Sequence, residues 1–237
     1  MAAAPGDTIQ VASGVYQESS GGGDALHVNK SVTITGAGPA TYNGSGQWTG
    51  VTLITCGSGA GGQALNQVVN VSGNDVTLTQ LTVDGRYGFD INTQAATNYG
   101  VFVSGQNFSI TNAHIVDFTN SGLEFNNSNN GTVTNVSIKR TAFAPGYYAE
   151  ANSGLRCVDS ENLDVDGLTV ENARRGIVVF QGDNSGTLDN VTIAGTGTAT
   201  SSGILFSTST APGWWNPAWG SYEGSLTFTL GGNHAIS

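Results

Sequence analysis

Leu78-Thr79-Gln80-Leu81-Thr82-Val83 returns four times along this chain. The later copies are Ile110-Thr111-Asn112-Ala113-His114-Ile115, Val133-Thr134-Asn135-Val136-Ser137-Ile138, Val165-Asp166-Gly167-Leu168-Thr169-Val170 and Leu188-Asp189-Asn190-Val191-Thr192-Ile193. Their starts lie 32, 23, 32 and 23 residues apart. A short period interrupted by two insertions of about nine residues marks a solenoid. Each unit reads as two short strands joined by a polar corner. Apolar residues at the first, fourth and sixth positions face one way, and Thr, Ser, Asp and His alternate with them outward, as half-buried strands require. The corner is Asn112, Asn135 and Asn190 in three units, Gln80 and Gly167 in the others. Asn and Gly tolerate the left-handed backbone that a sharp corner needs.

A third strand precedes each unit, opening at Gly100, Gly122, Gly154, Gly176 and Gly203, with starts 22, 32, 22 and 27 residues apart. Three strands per turn predict an all-β, single-stranded parallel β-helix of about eight coils, stacked ~4.8 Å apart. Stacked Asn corners are expected to hydrogen-bond along the axis as a ladder. The whole chain, 1–237, reads as one elongated domain. It has N-terminal coils at 1–60, regular coils at 61–207 with insertions at 84–100 and 139–154, and a Trp-rich C-terminal segment at 208–237.

The opening Ala4-Pro5-Gly6-Asp7-Thr8-Ile9-Gln10-Val11, then Gly14-Val15-Tyr16-Gln17-Glu18 and Ser31-Val32-Thr33-Ile34-Thr35-Gly36-Ala37-Gly38, resembles the first coils of the right-handed parallel β-helix, pectin-lyase-like superfamily. The resemblance covers residues 4–207 and implies the right-handed form of the fold. It implies little about activity, because one fold hosts many functions. Enzymes of this resemblance hold their catalytic residues in the groove on the face that Gly100, Gly122 and Gly154 open.

Composition narrows the field. Seven basic residues stand against 17 acidic ones, a net charge of −10, and charged residues make up only 10% of the chain. Nucleic acid is excluded as a partner, since phosphate binding needs a basic face. No apolar run approaches the ~18 residues of a membrane span. No signal peptide is read at Met1-Ala2-Ala3-Ala4. The ends show no cap, so the reading is a fragment of a longer parent chain or a solenoid whose ends sibling subunits cover. Cys157 falls at an inward position and reads as a buried free thiol, with a Cys56–Cys157 disulfide as the alternative.

The outward residues of the Gly-initiated strands are Phe102, Glu124, Arg156, Val178 and Leu205, followed by Ser104, Asn126, Val158, Phe180 and Ser207. This alternation predicts an exposed apolar stripe, the mark of a contact surface. Glu124 and Arg156 should be neighbours on successive coils, as an exposed ion pair. The insertions flank the same face. They bring Arg86, Tyr87, Phe89 and Asp90, then Lys139, Arg140, Phe143, Tyr147, Tyr148 and Glu150, while Trp214 and Trp215 lie in the tail. Rings interleaved with charged and amide groups suit sugars, whose apolar faces stack and whose hydroxyls pair. The same aromatics would equally cap the core. On the second-strand face a Thr-x-Thr array (Thr33/Thr35, Thr77/Thr79, Thr132/Thr134) resembles an ice-binding surface, broken by Asp164 and Asp166.

Lyases and epimerases of this resemblance need a base, often Arg or Lys, and a group that neutralises a uronate, often Ca²⁺ held by Asp and Glu. Ca²⁺ is therefore the one cofactor to consider, and no motif demands it. In such an enzyme Lys139 or Arg156 would be the base and Arg140 the charge stabiliser. The available carboxylates are Asp90, Asp117, Glu124, Glu150 and Asp159. The Trp-Ile-Asp-His and Arg-x-Pro-x-x-Arg runs of the lyases are absent, as are the Asn-Thr-Asp, Asp-Asp and Gly-His-Gly runs of the glycosidases. His27, His114 and His234 form no ligand spacing.

Two functions follow as expectations. The leading one is a non-catalytic extracellular or virion-surface module (adhesin, spike or filament unit) that contacts glycans or sibling subunits through the Phe102–Leu205 stripe. The other is a polysaccharide lyase, hydrolase or epimerase acting in the groove between the two insertions, with ice binding a minor third.

Overall fold

The computed structural model describes residues 3–18, 24–39, 41–42, 48–49, 51–56, 66–85, 98–139, 153–173, 175–180, 182–194, 202–207, 226–231 and 235–236. Among them are 23 short strands and no helix. Twenty-one of these strands form two large sheets, of 14 and seven strands, in which every ladder is parallel. The last two, Thr41–Tyr42 and Trp48–Thr49, pair antiparallel within the early coils. This is an all-β parallel β-helix.

The seven-stranded sheet stacks Asp24–Val28, Gln67–Val71, Tyr99–Val103, Ser121–Asn126, Ser153–Val158, Arg175–Phe180 and Ser202–Ser207 in chain order. The 14-stranded sheet holds two such columns side by side. Ser109–Val116 and Thr132–Lys139 run unbroken through the corner between the columns and so fuse them. The corner has the backbone its residues suggested: Gln80, Asn112, Asn135, Gly167 and Asn190 all have φ between 50 and 71°. At Asn190 the side chain donates to Asp166 Oδ1 at 2.7 Å.

A longer side-chain ladder stands at another corner, after the seven-stranded sheet. Asn107 Nδ2 donates to Asp75 Oδ1 at 2.8 Å, Asn130 to Asn107 at 3.0 Å and Asn162 to Asn130 at 3.4 Å. All four residues sit at φ 54–60°. Asx side chains serve here twice, by tolerating the left-handed region and by bonding coil to coil.

Inside, like residues stack in register. Val83, Ile115, Ile138, Val170 and Ile193 form one column, and Val101, Leu123, Leu155 and Ile177 another. All are buried. Cys157 is a free, buried thiol in the adjoining column, between Phe125 and Val179. Burial first, and the nearby Glu124 charge second, push its thiol up to about 12.

Candidate functional site

The Gly-initiated strands do not alternate simply. A Cβ at Gly100 would meet Ile115 Cγ2, and one at Gly122 would meet Ile138 Cγ2, both side chains of the core. These glycines therefore face inward, and the apolar residue after each also packs inward. The residue before each glycine is turned out, onto the same face as the residue two places after it. Tyr99 thus stands beside Phe102, with ring centroids 5.4 Å apart, and Ser121 beside Glu124, with Oγ 3.2 Å from Oε2. The outer face of this sheet carries two columns. One runs Asp24, Gln67, Tyr99, Ser121, Ser153, Arg175, and the other His27, Asn70, Phe102, Glu124, Arg156, Val178.

Glu124 is the centre of that face. The expected neighbour relation with Arg156 holds in register, and Arg156 Nη1 donates to Glu124 Oε2 at 3.2 Å. The expected exposure does not hold. Glu124 is only 2% exposed and Val178 5%, while Phe102, Arg156, Val158 and Phe180 are half-buried. The stripe is not an open apolar surface, because the side chains lean on one another. The Arg156 guanidinium lies 4.6 Å from the Phe180 ring centroid, a cation–π contact. Ser121 and Asn126 also donate to the Glu124 carboxyl, and Ser121 Oγ lies 3.1 Å from Ser153 Oγ.

Burial pushes the Glu124 carboxyl above the ordinary carboxylate range, and the Arg156 guanidinium offsets this only in part. Tyr99 shifts the same way. Burial raises its phenol, the Glu124 charge adds to the rise, and Arg156 opposes both. Tyr99 keeps its proton and accepts a hydrogen bond from Asn120 Nδ2 at 2.9 Å. The face therefore presents a carboxyl poised to hold or release a proton, a fixed cation and a phenol donor within three successive coils.

Lys139 belongs to the 14-stranded sheet, in register with Val116 and Glu171, and pairs with Glu171 at 2.5 Å. It is held on a different sheet from Glu124 and Arg156. Asp117 is buried at a left-handed turn, and exposed Asp159 accepts from the Asp183 amide at 3.0 Å. Arg86, Tyr87, Phe89, Asp90, Arg140, Phe143, Tyr147, Tyr148, Glu150, Trp214 and Trp215 lie outside the described residues, as does the Leu205 side chain. Among the described residues no group of His, Cys, Asp and Glu is placed to hold a metal ion. No helix among them is long and apolar enough to cross a membrane.

Tyr99, Ser121 and Gln67 were not legible as site residues in the sequence. Tyr99 and Ser121 sit before a glycine, and Gln67 before Val68 at the same register position, where strict alternation assigns the opposite face. The signal that could have found Tyr99 and Ser121 is the run Gly100, Gly122, Gly154 and Gly176, since a residue without a side chain on successive coils marks a close approach to the core. The coil of Gln67 has Val68 there and gives no such signal.

The same architecture occurs in known structures. A pectate lyase superposes with a TM-score of 0.62 at 17% identity, covering 98% of this chain and 54% of that one. The catalytic domain of a GH87 α-1,3-glucanase, solved in complex with tetrasaccharides, gives 0.55 at 17% identity, covering 94% and 41%. The pectin methylesterase from Aspergillus niger gives 0.52 at 15% identity, covering 98% and 78%. The chain shares their parallel β-helix fold. It spans about half the length of the pectate lyase, 54%. No family model matches the sequence, and no curated protein matches it.

Proposed function

We propose that this chain acts on a polysaccharide, cleaving it by acid–base chemistry on the outer face of the seven-stranded sheet, with Glu124 at the centre. The observation that carries this reading is a carboxyl 2% exposed yet on the outward register of the sheet, fixed by Arg156 and flanked by Tyr99. A buried, hydrogen-bonded ionisable cluster is a poor device for stability, since hydrophobic residues of similar size serve as well or better. Perturbed titratable groups of this kind mark reaction centres. The polysaccharide-acting names of the proteins that share the fold support the same reading over an adhesive module. Secretion to the exterior or display on a virion surface is the location we propose with it, since polymeric glycans lie there.

Eliminative cleavage suits the cluster better than hydrolysis. Hydrolysis calls for two carboxylates across the scissile bond. The described residues of this face hold two carboxylates, Asp24 and Glu124. Asp24 stands three coils from Glu124, ~14 Å at ~4.8 Å per coil, too far to share one scissile bond with it. Glu124 is paired instead with a guanidinium. In an elimination, the base removes the proton on the carbon next to a uronate carboxyl, that C–H pair becomes the new double bond, and the C–O bond to the leaving sugar breaks. The departing oxygen then takes a proton. Arg156 is suited to balance the uronate charge rather than to act as the base, because a guanidinium paired to a carboxylate holds its proton. Glu124 and Tyr99 are the groups that can take and return protons.

The test incubates the protein with pectate, alginate and neutral glucans, with and without Ca²⁺, and assays unsaturated and reducing ends. The expected result is unsaturated product from an acidic polymer, reduced at least ~100-fold in Glu124→Gln, the size of a lost acid–base group. Full activity in that variant would place the chemistry elsewhere, and no product from any polymer would return the protein to a binding role.

A further inference from the structure

Two coils from Glu124, on the same face, the side chain of Gln67 is 8% exposed and its Oε1 is buried without a hydrogen-bond partner. It is the only such side-chain atom among the described residues. An amide acceptor kept from water and left unpaired destabilises the fold, so its retention calls for a reason. Its surroundings supply one. Gln67 is in register with Tyr99 on one side and Asp24 on the other. Asp24 Oδ2 accepts from Asn70 Nδ2 at 2.7 Å, which fixes a second amide beside it. The Tyr99–Phe102 ring pair fills the coil between Gln67 and Glu124. The face thus orders an amide pair, an aromatic step and the ionisable centre along the helix axis.

We infer that Gln67 is a specificity-determining residue whose amide oxygen accepts a hydrogen bond from a hydroxyl of a sugar unit bound two coils away from the Glu124 centre. This rests on the proposed polysaccharide activity and adds a position and a chemical group to it. Coils repeat every ~4.8 Å, and an extended glycan advances by a similar distance per sugar. Gln67 therefore meets the unit next to the one stacked on Tyr99 and Phe102, two units from the one at Glu124. A hydroxyl donor would complete the missing bond once the Gln67 side chain, whose Oε1 is closed to water in the free protein, turns outward to the bound sugar. A site built to pair a hydroxyl also rejects a sugar lacking it.

The experiment compares the wild-type chain with Gln67→Met, which keeps the volume and removes the acceptor. The probes are size-graded oligogalacturonates, oligoalginates and α-1,3-gluco-oligosaccharides of two to six units, read by calorimetric affinity, with a thermal melt of each protein. Gln67→Met is expected to melt at the wild-type temperature or above. It should bind the longer oligomers about 3- to 10-fold more weakly, the range of one net hydrogen bond, with a loss that grows with oligomer length. A lowered melting temperature with unchanged affinity would make Gln67 a structural residue and overturn the inference while leaving the proposed activity standing. Wild-type protein that binds no oligomer in the panel would overturn both.

Discussion

At Glu124 two opposing influences meet in one carboxyl. Arg156 favours the charge and burial disfavours it, and burial wins, so the folded value lies above the ordinary 4.5. Its contribution to stability is then full below the unfolded value and is lost as pH rises through the folded one. Glu124→Gln removes the titration. The stability of that variant relative to the wild type should therefore climb over the pH interval above the ordinary carboxylate range, as read by urea unfolding at a series of pH values. A constant difference across that interval would mean that Glu124 titrates normally and is not the poised group assigned here. Arg156 was legible as its partner because the repeat spacing counts coils, and the two residues are 32 apart. The depth of the pair was not legible, since it arises from Phe180 and Ser121 closing over it.

Among the elements, the glycine column decides which side chains share the site. Gly122 lets the strand Ser121–Asn126 approach Ile138, and a Cβ there would collide with Ile138 Cγ2 and lie 2.9 Å from Phe118 Cε1. The neighbouring positions Gly154 and Gly176 meet Val170 and Ile193 in the same way. Gly122→Ala is expected to destabilise by about 1–3 kcal/mol through overpacking. It should also disturb Ser121 and Glu124, which flank it. Denaturant unfolding that matched the wild type would show that the column is not a packing constraint. The sequence makes the glycines conspicuous, but their inward direction depends on how close the adjoining sheet comes.

For the whole molecule, stability is expected to follow the stacking of coils, because each repeat touches only its neighbours. Ser109–Val116, Ser121–Asn126 and Thr132–Lys139 are paired on both sides. Among the described residues Thr8–Gln10 and Gly14–Glu18 are paired on one side only. There the core columns end in partly open side chains, with Ile9 37%, Val15 56% and Tyr16 41% exposed. Hydrogen exchange should be slowest in the three central strands and fastest in these two, since sub-global opening starts where pairing is one-sided. Equal protection throughout would mean that the solenoid opens only as one unit.

The repeat by itself determined the parallel β-helix, its three strands per coil and its left-handed corners. Each of these follows from residues within a few positions of one another, through alternation and the tolerance of Asn and Gly for positive φ. It also determined that Glu124 and Arg156 fall on one face, because register along a solenoid is a matter of counting. Only the tertiary structure decided that this pair is buried and that Lys139 belongs to another sheet, paired with Glu171. It alone put Tyr99, Ser121 and Gln67 on the face with them. Those outcomes depend on the distance between sheets and on side chains from coils more than 20 residues apart closing over one another, and no local pattern in the chain encodes either.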